Sequence, residues 1–230
     1  YHKAFVLDYT HTDSSELVDA LETISYCNSS LSTILSCGIQ SEFITPQTLE
    51  DCVFSSEQPT SIFMGPYLLY KAMKEEGYKV SIDGDGADEL LAGYIQFAFP
   101  SLVDSLNQDE FKQTLEVWKN FGCESKTKDE IMHKVKQLKE QGKVPKTNKW
   151  LHEERYVEFH ERTLPWILKT KDKIPMAHGI ESRSPFLDWR VVQFCLSLPN
   201  KSVLGDGCTK RILRDAMKGI LPERIRKKHV

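Results

Sequence analysis

An α/β fold is predicted, with a parallel sheet in the first hundred residues and a predominantly helical second half. Three observations predict it. Short apolar, β-branched runs alternate with helical patterns up to about residue 100, as in a parallel α/β sheet. After Pro100 the apolar residues recur only at helical spacing. Between these regions, Lys79-Val80-Ser81-Ile82-Asp83-Gly84-Asp85-Gly86-Ala87-Asp88-Glu89-Leu90-Leu91-Ala92-Gly93-Tyr94 begins as a strand, turns through two glycines and opens an apolar helix. Ligands of α/β proteins bind at the carboxyl ends of such strands.

The elements follow in order. Ala4-Phe5-Val6-Leu7-Asp8-Tyr9 has the continuous apolar texture of a buried parallel strand. Thr12-Asp13-Ser14-Ser15-Glu16 has the composition of a helix cap ahead of Leu17, Val18 and Leu21. Residues 27–45 are rich in Ser, Thr and Cys, with a short strand expected near Ser32 to Leu35. Thr45-Pro46 starts a helix with proline at its first position. A second helix is expected from Ser61 to Glu76, broken at Gly77.

Beyond Pro100, Phe111, Leu115, Trp118 and Phe121 mark one amphipathic helix, and Ile131, Val135 and Leu138 another. Such stripes belong to a core far more often than to a cofactor. Gln141 to Lys149 reads as a basic loop, and the chain is expected to be helical again from Trp150 to about Ile174. The helices are expected to lie over the sheet without forming a separate domain.

The 230 residues allow one sizeable core or two small ones. With 40% hydrophobic and 27% charged residues, wholesale disorder is excluded. A net charge of −3 argues against broad affinity for nucleic acid. No apolar run has membrane-spanning length, and no signal-peptide pattern is present. The six cysteines are scattered without a CxxC pair, which reads as reduced thiols in a cytoplasmic protein. The chain opens at Tyr1 and closes on Arg226-Lys227-Lys228-His229-Val230, and is expected to be part of a longer protein.

In the central turn, Asp83, Asp85, Asp88 and Glu89 crowd together. This is unfavourable unless a metal ion or a helix N-terminus supplies positive charge. The glycines permit φ > 0 and close approach of a ligand. Two readings stand side by side: a capped helix start with solvated acids, or a magnesium and nucleotide turn. A calcium loop of the EF-hand type fails on spacing. Counted from Asp83, its fifth, sixth and twelfth positions would be Ala87, Asp88 and Tyr94.

The second informative stretch is Pro175-Met176-Ala177-His178-Gly179-Ile180-Glu181-Ser182-Arg183-Ser184-Pro185-Phe186-Leu187-Asp188. Its apolar content suggests that Glu181 and Arg183 are partly buried and partnered. Asp188 is expected to cap a helix whose Val191, Val192, Phe194 and Cys195 pack inward. His178, a lone histidine, is read as structural. In Gly205-Asp206-Gly207-Cys208-Thr209-Lys210-Arg211-Ile212-Leu213-Arg214, Thr209 is the expected helix cap. Lys210 and Arg211 would then sit in the first turn, against the macrodipole by about 0.3–1 kcal/mol. An anion site would explain that placement, and side chains directed to solvent are the alternative.

These stretches together resemble the asparagine synthetase family of the glutamine-hydrolysing type, specifically its C-terminal, ATP-dependent amide-forming half. The family's turn reads (S/D)G(E/D)G(A/S)DE-x-x-x-GY, met here by Asp83 to Glu89 with Gly93-Tyr94. The family's MAH-x-(I/V/L)E-x-R-x-PFLD is met by Met176 to Asp188, and TK-x-(I/L)LR by Thr209 to Arg214, followed by Leu221-Pro222-Glu223. The likeness covers essentially the whole chain, and makes residues 1–230 one synthetase domain.

It implies a parallel sheet of the ATP-pyrophosphatase type (adenine nucleotide alpha hydrolase-like). It also implies a chemistry in which ATP and Mg2+ adenylate the side chain of aspartate and ammonia from glutamine displaces AMP. By match to the family, Asp88 would ligand magnesium and Lys210 would stabilise the leaving phosphates. Asp83, Gly84 and Gly86 would lie at the nucleotide, and Leu7 would contact adenine through its backbone. Asp85 would stand beside the acyl-adenylate, and Glu181 and Arg183 would shape the site. The likeness further implies an N-terminal glutaminase domain in the full-length protein, and allows a homodimer.

Three departures stand out. The family's SGG-x-DS phosphate loop, expected just before the first strand, is absent. So is the glutaminase domain. Lys171-Asp172-Lys173-Ile174-Pro175 replaces an arginine-containing run. The 230 residues alone are therefore expected to be inactive. Relatives that amidate a sugar, peptide or β-lactam precursor, or that only bind, are the alternatives. A magnesium-dependent phosphatase would leave Lys210 and the Met176–Asp188 signature without a purpose.

Overall fold

The computed structural model describes residues 3–8, 16–27, 30–36, 42–58, 63–106, 110–122, 127–143 and 149–228. The elements are β1 (Lys3–Asp8), α1 (Leu17–Tyr26), β2 (Ser30–Ser36), α2 (Pro46–Ser56), α3 (Met64–Glu75), β3 (Val80–Ile82), α4 (Ala87–Leu91), α5 (Ala98–Ser105), α6 (Phe111–Asn120) and α7 (Lys128–Glu140). The chain continues through α8 (Trp150–His160), α9 (Thr163–Ala177), β4 (Glu181–Arg183), α10 (Trp189–Ser197), α11 (Asn200–Val203), α12 (Arg211–Ala216) and α13 (Glu223–Arg226). Two compact units result. One holds residues 1–83, 167–183 and 219–226, and the other residues 84–166, 184–218 and 227–230.

The first unit contains all the strands among the described residues, in two parallel pairs: β1 with β2, and β3 with β4. Leu7 lies on β1 opposite Leu35 of β2. β1 is half-buried where a fully buried strand is expected. Proline at the first position of α2 is confirmed, and Thr45 and Thr48 close a reciprocal cap at its start. Of the cap expected at residues 12–16, Glu16 alone is described, and it precedes α1 without a side-chain capping bond; the start expected at Ser61 lies outside the described residues. The core of this unit gathers Cys52, Tyr67, Leu68, Tyr70, Met73, Ile174 and Ile180 around α3.

The second unit is helical and has its own core. Leu90, Leu91, Phe97, Trp118, Ile131 and Leu151 are buried together, each apolar side chain contributing about 1.5–3 kcal/mol. The sequence stripes on α6 and α7 supply this core, and Trp118 Nε1 donates to Ser101 Oγ at 2.6 Å. The long helix expected from Trp150 is interrupted at Glu161 and Arg162, and α9 runs past Pro175 to Ala177. Asp188 caps α10, accepting from the Arg190 N–H at 2.9 Å. Phe194, expected inside, is 54% exposed.

Candidate active site

The central turn spans the division between the units, and each side is built separately. In the first unit, β3 and β4 run in parallel, and the Asp83 N–H donates to Arg183 O at 2.8 Å. This brings Ser182 alongside Asp83. The Asp83 carboxylate accepts from Ser182 Oγ at 2.6 Å, Tyr70 OH at 2.6 Å and Ser81 Oγ at 2.7 Å, with Lys171 Nζ at 3.8 Å. Burial pushes the Asp83 pKa up. The donated bonds from Ser182 and Tyr70, the Lys171 charge and the Ser81 bond outweigh it, and the group stays below the ordinary carboxylate range.

None of these four partners is singled out in the sequence: Tyr70 lies within an expected helix, Ser81 in the strand, Ser182 in the second motif, and Lys171 in the departure from the family pattern. Glu181 and Arg183, in contrast, are not buried as expected. Each is about 60% exposed and they pair with one another at 2.7 Å, since alternation along a strand of three residues sends them to the face opposite Ser182.

In the second unit the turn is shaped by glycine. Gly86 has φ +92° and precedes α4. A Cβ there would collide with the Leu187 side chain, so the turn packs directly on Pro185–Leu187 of the second motif. Asp85 accepts from Ser184 Oγ at 3.3 Å. Gly84, without a positive φ, faces open space.

Asp88 forms an ion pair with Lys210, Oδ1 to Nζ at 2.7 Å. Gly93 makes this approach possible: a Cβ there would overlap the Asp88 carboxylate and lie 2.6 Å from Lys210 Cε. The glycine of the Gly93-Tyr94 pair is therefore a matter of space at the ion pair. Lys210 itself has φ +56°, unusual for a residue with a side chain, and its N–H donates to Leu91 O at 3.3 Å. Strain of this kind concentrates at functional sites.

The expected cap, Thr209, has no capping role. It is buried, its carbonyl accepts from Arg214 Nε, and Lys210 is the residue that precedes α12. Arg211 pairs with Asp206 at 2.9 Å and with Asp215 at 3.9 Å. Both cations at the start of α12 thus have carboxylate partners within the chain.

Glu89 is buried. Its Oε1 accepts from Tyr94 OH at 2.9 Å, and Oε2 has no hydrogen-bond partner among the described residues. Burial, aided by the charges of Asp88 and Asp85, raises its pKa against the opposing hydrogen bonds, and burial beside Glu89 also raises that of Tyr94.

No group of three or more His, Cys, Asp and Glu converges as a metal cage among the described residues. Magnesium carried on phosphates takes only one or two carboxylates, completing its shell with phosphate oxygens and water. Asp88, held in place and one-third exposed, suits that arrangement.

The asparagine synthase family model matches residues 2–229. The chain belongs to the asparagine synthase family. Among its asparagine synthase relatives, it is 26% identical over 190 residues to asparagine synthetase [glutamine-hydrolyzing] 3 of Bacillus subtilis, covering 77% of this chain and 30% of the relative. It is 27% identical over 224 residues to asparagine synthetase [glutamine-hydrolyzing] of Rattus norvegicus, covering 93% of this chain and 30% of the relative. A shorter stretch of 71 residues is 38% identical to asparagine synthetase [glutamine-hydrolyzing] 1 of Bacillus subtilis, covering 31% of this chain and 11% of the relative. The chain therefore spans less than a third of the length of these relatives. No helix among its described residues is long and apolar enough to cross a membrane.

Proposed function

We propose that this chain is the synthetase part of an ATP-dependent amide-forming ligase, with a sheet of the ATP-pyrophosphatase type. In this reading a substrate carboxylate, in the first instance the side chain of aspartate, attacks the α-phosphorus of ATP. The bond to the β-phosphate oxygen breaks and pyrophosphate leaves. Ammonia, supplied from glutamine by a glutaminase domain, then attacks the acyl carbon, loses a proton and displaces AMP. The reaction requires fixed positive charge where the leaving pyrophosphate develops negative charge.

The observation that carries the reading is Lys210. Its ammonium is held at 2.7 Å from Asp88, and its backbone has φ +56°, in a chain whose family is asparagine synthase. In this reading Lys210 neutralises the leaving pyrophosphate, and Asp88 would hold a magnesium ion. That ion would supply further neutralisation of the phosphate oxygens. Asp85 is assigned to accepting the proton of the incoming ammonia. In the first unit, the Leu7 backbone and Asp83 are assigned to the nucleoside, together with Gly84 and Gly86 of the turn. A cytoplasmic location and a homodimer complete the proposal.

ATP–pyrophosphate exchange, run on the protein with its native termini across a panel of carboxylic acids, tests it. Aspartate-dependent exchange that is lost in Asp88→Ala and Lys210→Met supports the proposal. Exchange with another acid alone keeps the mechanism and moves the substrate to a sugar, peptide or β-lactam precursor. A folded protein without exchange for any acid overturns it in favour of a binding role.

A further inference from the structure

Arg155 lies on α8 and is fully buried. Its hydrogen-bond partners among the described residues are main-chain carbonyls: Nε donates to Leu90 O at 2.8 Å, Nη2 also donates to that oxygen, and Nη2 donates to Cys195 O at 2.6 Å. No carboxylate forms an ion pair with it among the described residues, and Nη1 lacks a hydrogen-bond partner. Burial lowers its pKa to about 10. A buried guanidinium without a counter-ion is destabilising, and an apolar side chain of similar volume is often the more stable occupant. What such a side chain lacks is a fork of donors.

The carbonyls that Arg155 holds indicate its use. A five-residue helix such as α4 leaves its last carbonyls without internal partners. Asp88 O takes the N–H groups of Ala92 and Gly93, Leu90 O takes Arg155, and Leu91 O takes the N–H of Lys210. The clamp on Leu90 therefore stands next to the hydrogen bond that places Lys210, on the helix that carries Asp88.

We infer that Arg155 is a positioning residue. It fixes the exit of α4 so that Leu91 O meets the Lys210 N–H and the Asp88 carboxylate meets the Lys210 amine. Its consequence for catalysis rests on the function proposed above, whereas the clamp itself does not.

Acylation of lysine amines by a succinimidyl ester, followed residue by residue by mass spectrometry, tests this without a nucleotide. Asp88→Asn sets the rate of an unpaired Lys210. In Arg155→Met, labelling of Lys210 is expected to rise about two- to fivefold, the release of a partly exposed ion pair. Lys134 on α7 should keep its rate, and adding Asp88→Asn to Arg155→Met should raise Lys210 no further. Arg155→Lys keeps the charge and loses the fork, so it is expected to raise Lys210 labelling as well, by less. If Arg155→Met does not fold, the lysine variant decides. Wild-type labelling of Lys210 in a folded variant overturns the clamp, as does a rise shared equally with Lys134. Protection of wild-type Lys210 by magnesium ATP is a separate arm. Its failure would count against the proposed function and leave the clamp standing.

Discussion

Asp83 and Glu89 come from one acidic stretch, and the two units treat them oppositely. Asp83 is mostly buried and kept ionised, because three hydroxyls and Lys171 surround its oxygens. Glu89 is more deeply buried and has one tyrosine hydroxyl, with Asp85 and Asp88 adding to the effect of burial. Burial alone therefore does not set the charge of a carboxylate. The number of donors aimed at it does. Asp83 is built as an anion, whereas Glu89 is pushed toward its neutral form.

The sharpest way to break this contrast is Asp83→Ala. It removes the carboxylate that accepts from Tyr70, Ser81 and Ser182 and faces Lys171, and is expected to destabilise by about 3 kcal/mol or more, measured by urea unfolding. Equal stability of the variant and the wild type would mean that the hydroxyls do not hold the carboxylate. Gly93→Ala tests the other unit. Its methyl group displaces Asp88 from Lys210, and affinity for magnesium pyrophosphate, measured by calorimetry, is expected to fall about tenfold, or about 1.4 kcal/mol. Unchanged affinity would show that the close approach at Gly93 has no bearing on the phosphate site.

Glu89→Gln is the smaller perturbation. The amide matches the shape of the carboxyl and removes a charge that burial disfavours, so its unfolding free energy at neutral pH is expected to stay within about 1 kcal/mol of the wild type. A large loss would show that the anion of Glu89 is required.

The pH dependence separates the two groups by sign. Asp83 has a lowered folded pKa. Its contribution is present above the unfolded value of about 3.9 and is lost as pH falls through the folded value. Glu89 has a raised folded pKa, so stability is lost as pH rises from the unfolded value of about 4.3 through the folded one. Unfolding midpoints of the wild type against Asp83→Asn and Glu89→Gln across the acid range should diverge in opposite directions. Parallel profiles would remove the contrast.

Some of this was legible in the chain. Proline and threonine marked the start of α2, the apolar stripes of α6 and α7 found the core of the second unit, and Asp188 announced the cap of α10. Local rules sufficed there because the deciding contacts lie within a turn or two. The same rules misplaced Thr209 as a cap, because the choice of helix start was decided by the pull of Leu91 O and Asp88 on Lys210. They also put Glu181 and Arg183 inside, where alternation along β4 turns Ser182 toward Asp83 instead.

By itself, then, the sequence determined the kinds of element, the acidic glycine turn and the family that turn belongs to. These depend on spacing and on which residues tolerate a tight backbone. Only the tertiary structure decided that Lys210 meets Asp88 over Gly93, that Lys171 and three hydroxyls hold Asp83, and that Arg155 closes the end of α4. Apart from the local Ser81 hydroxyl, those pairings join residues further apart in the chain, and such contacts exist only once packing has brought their elements together.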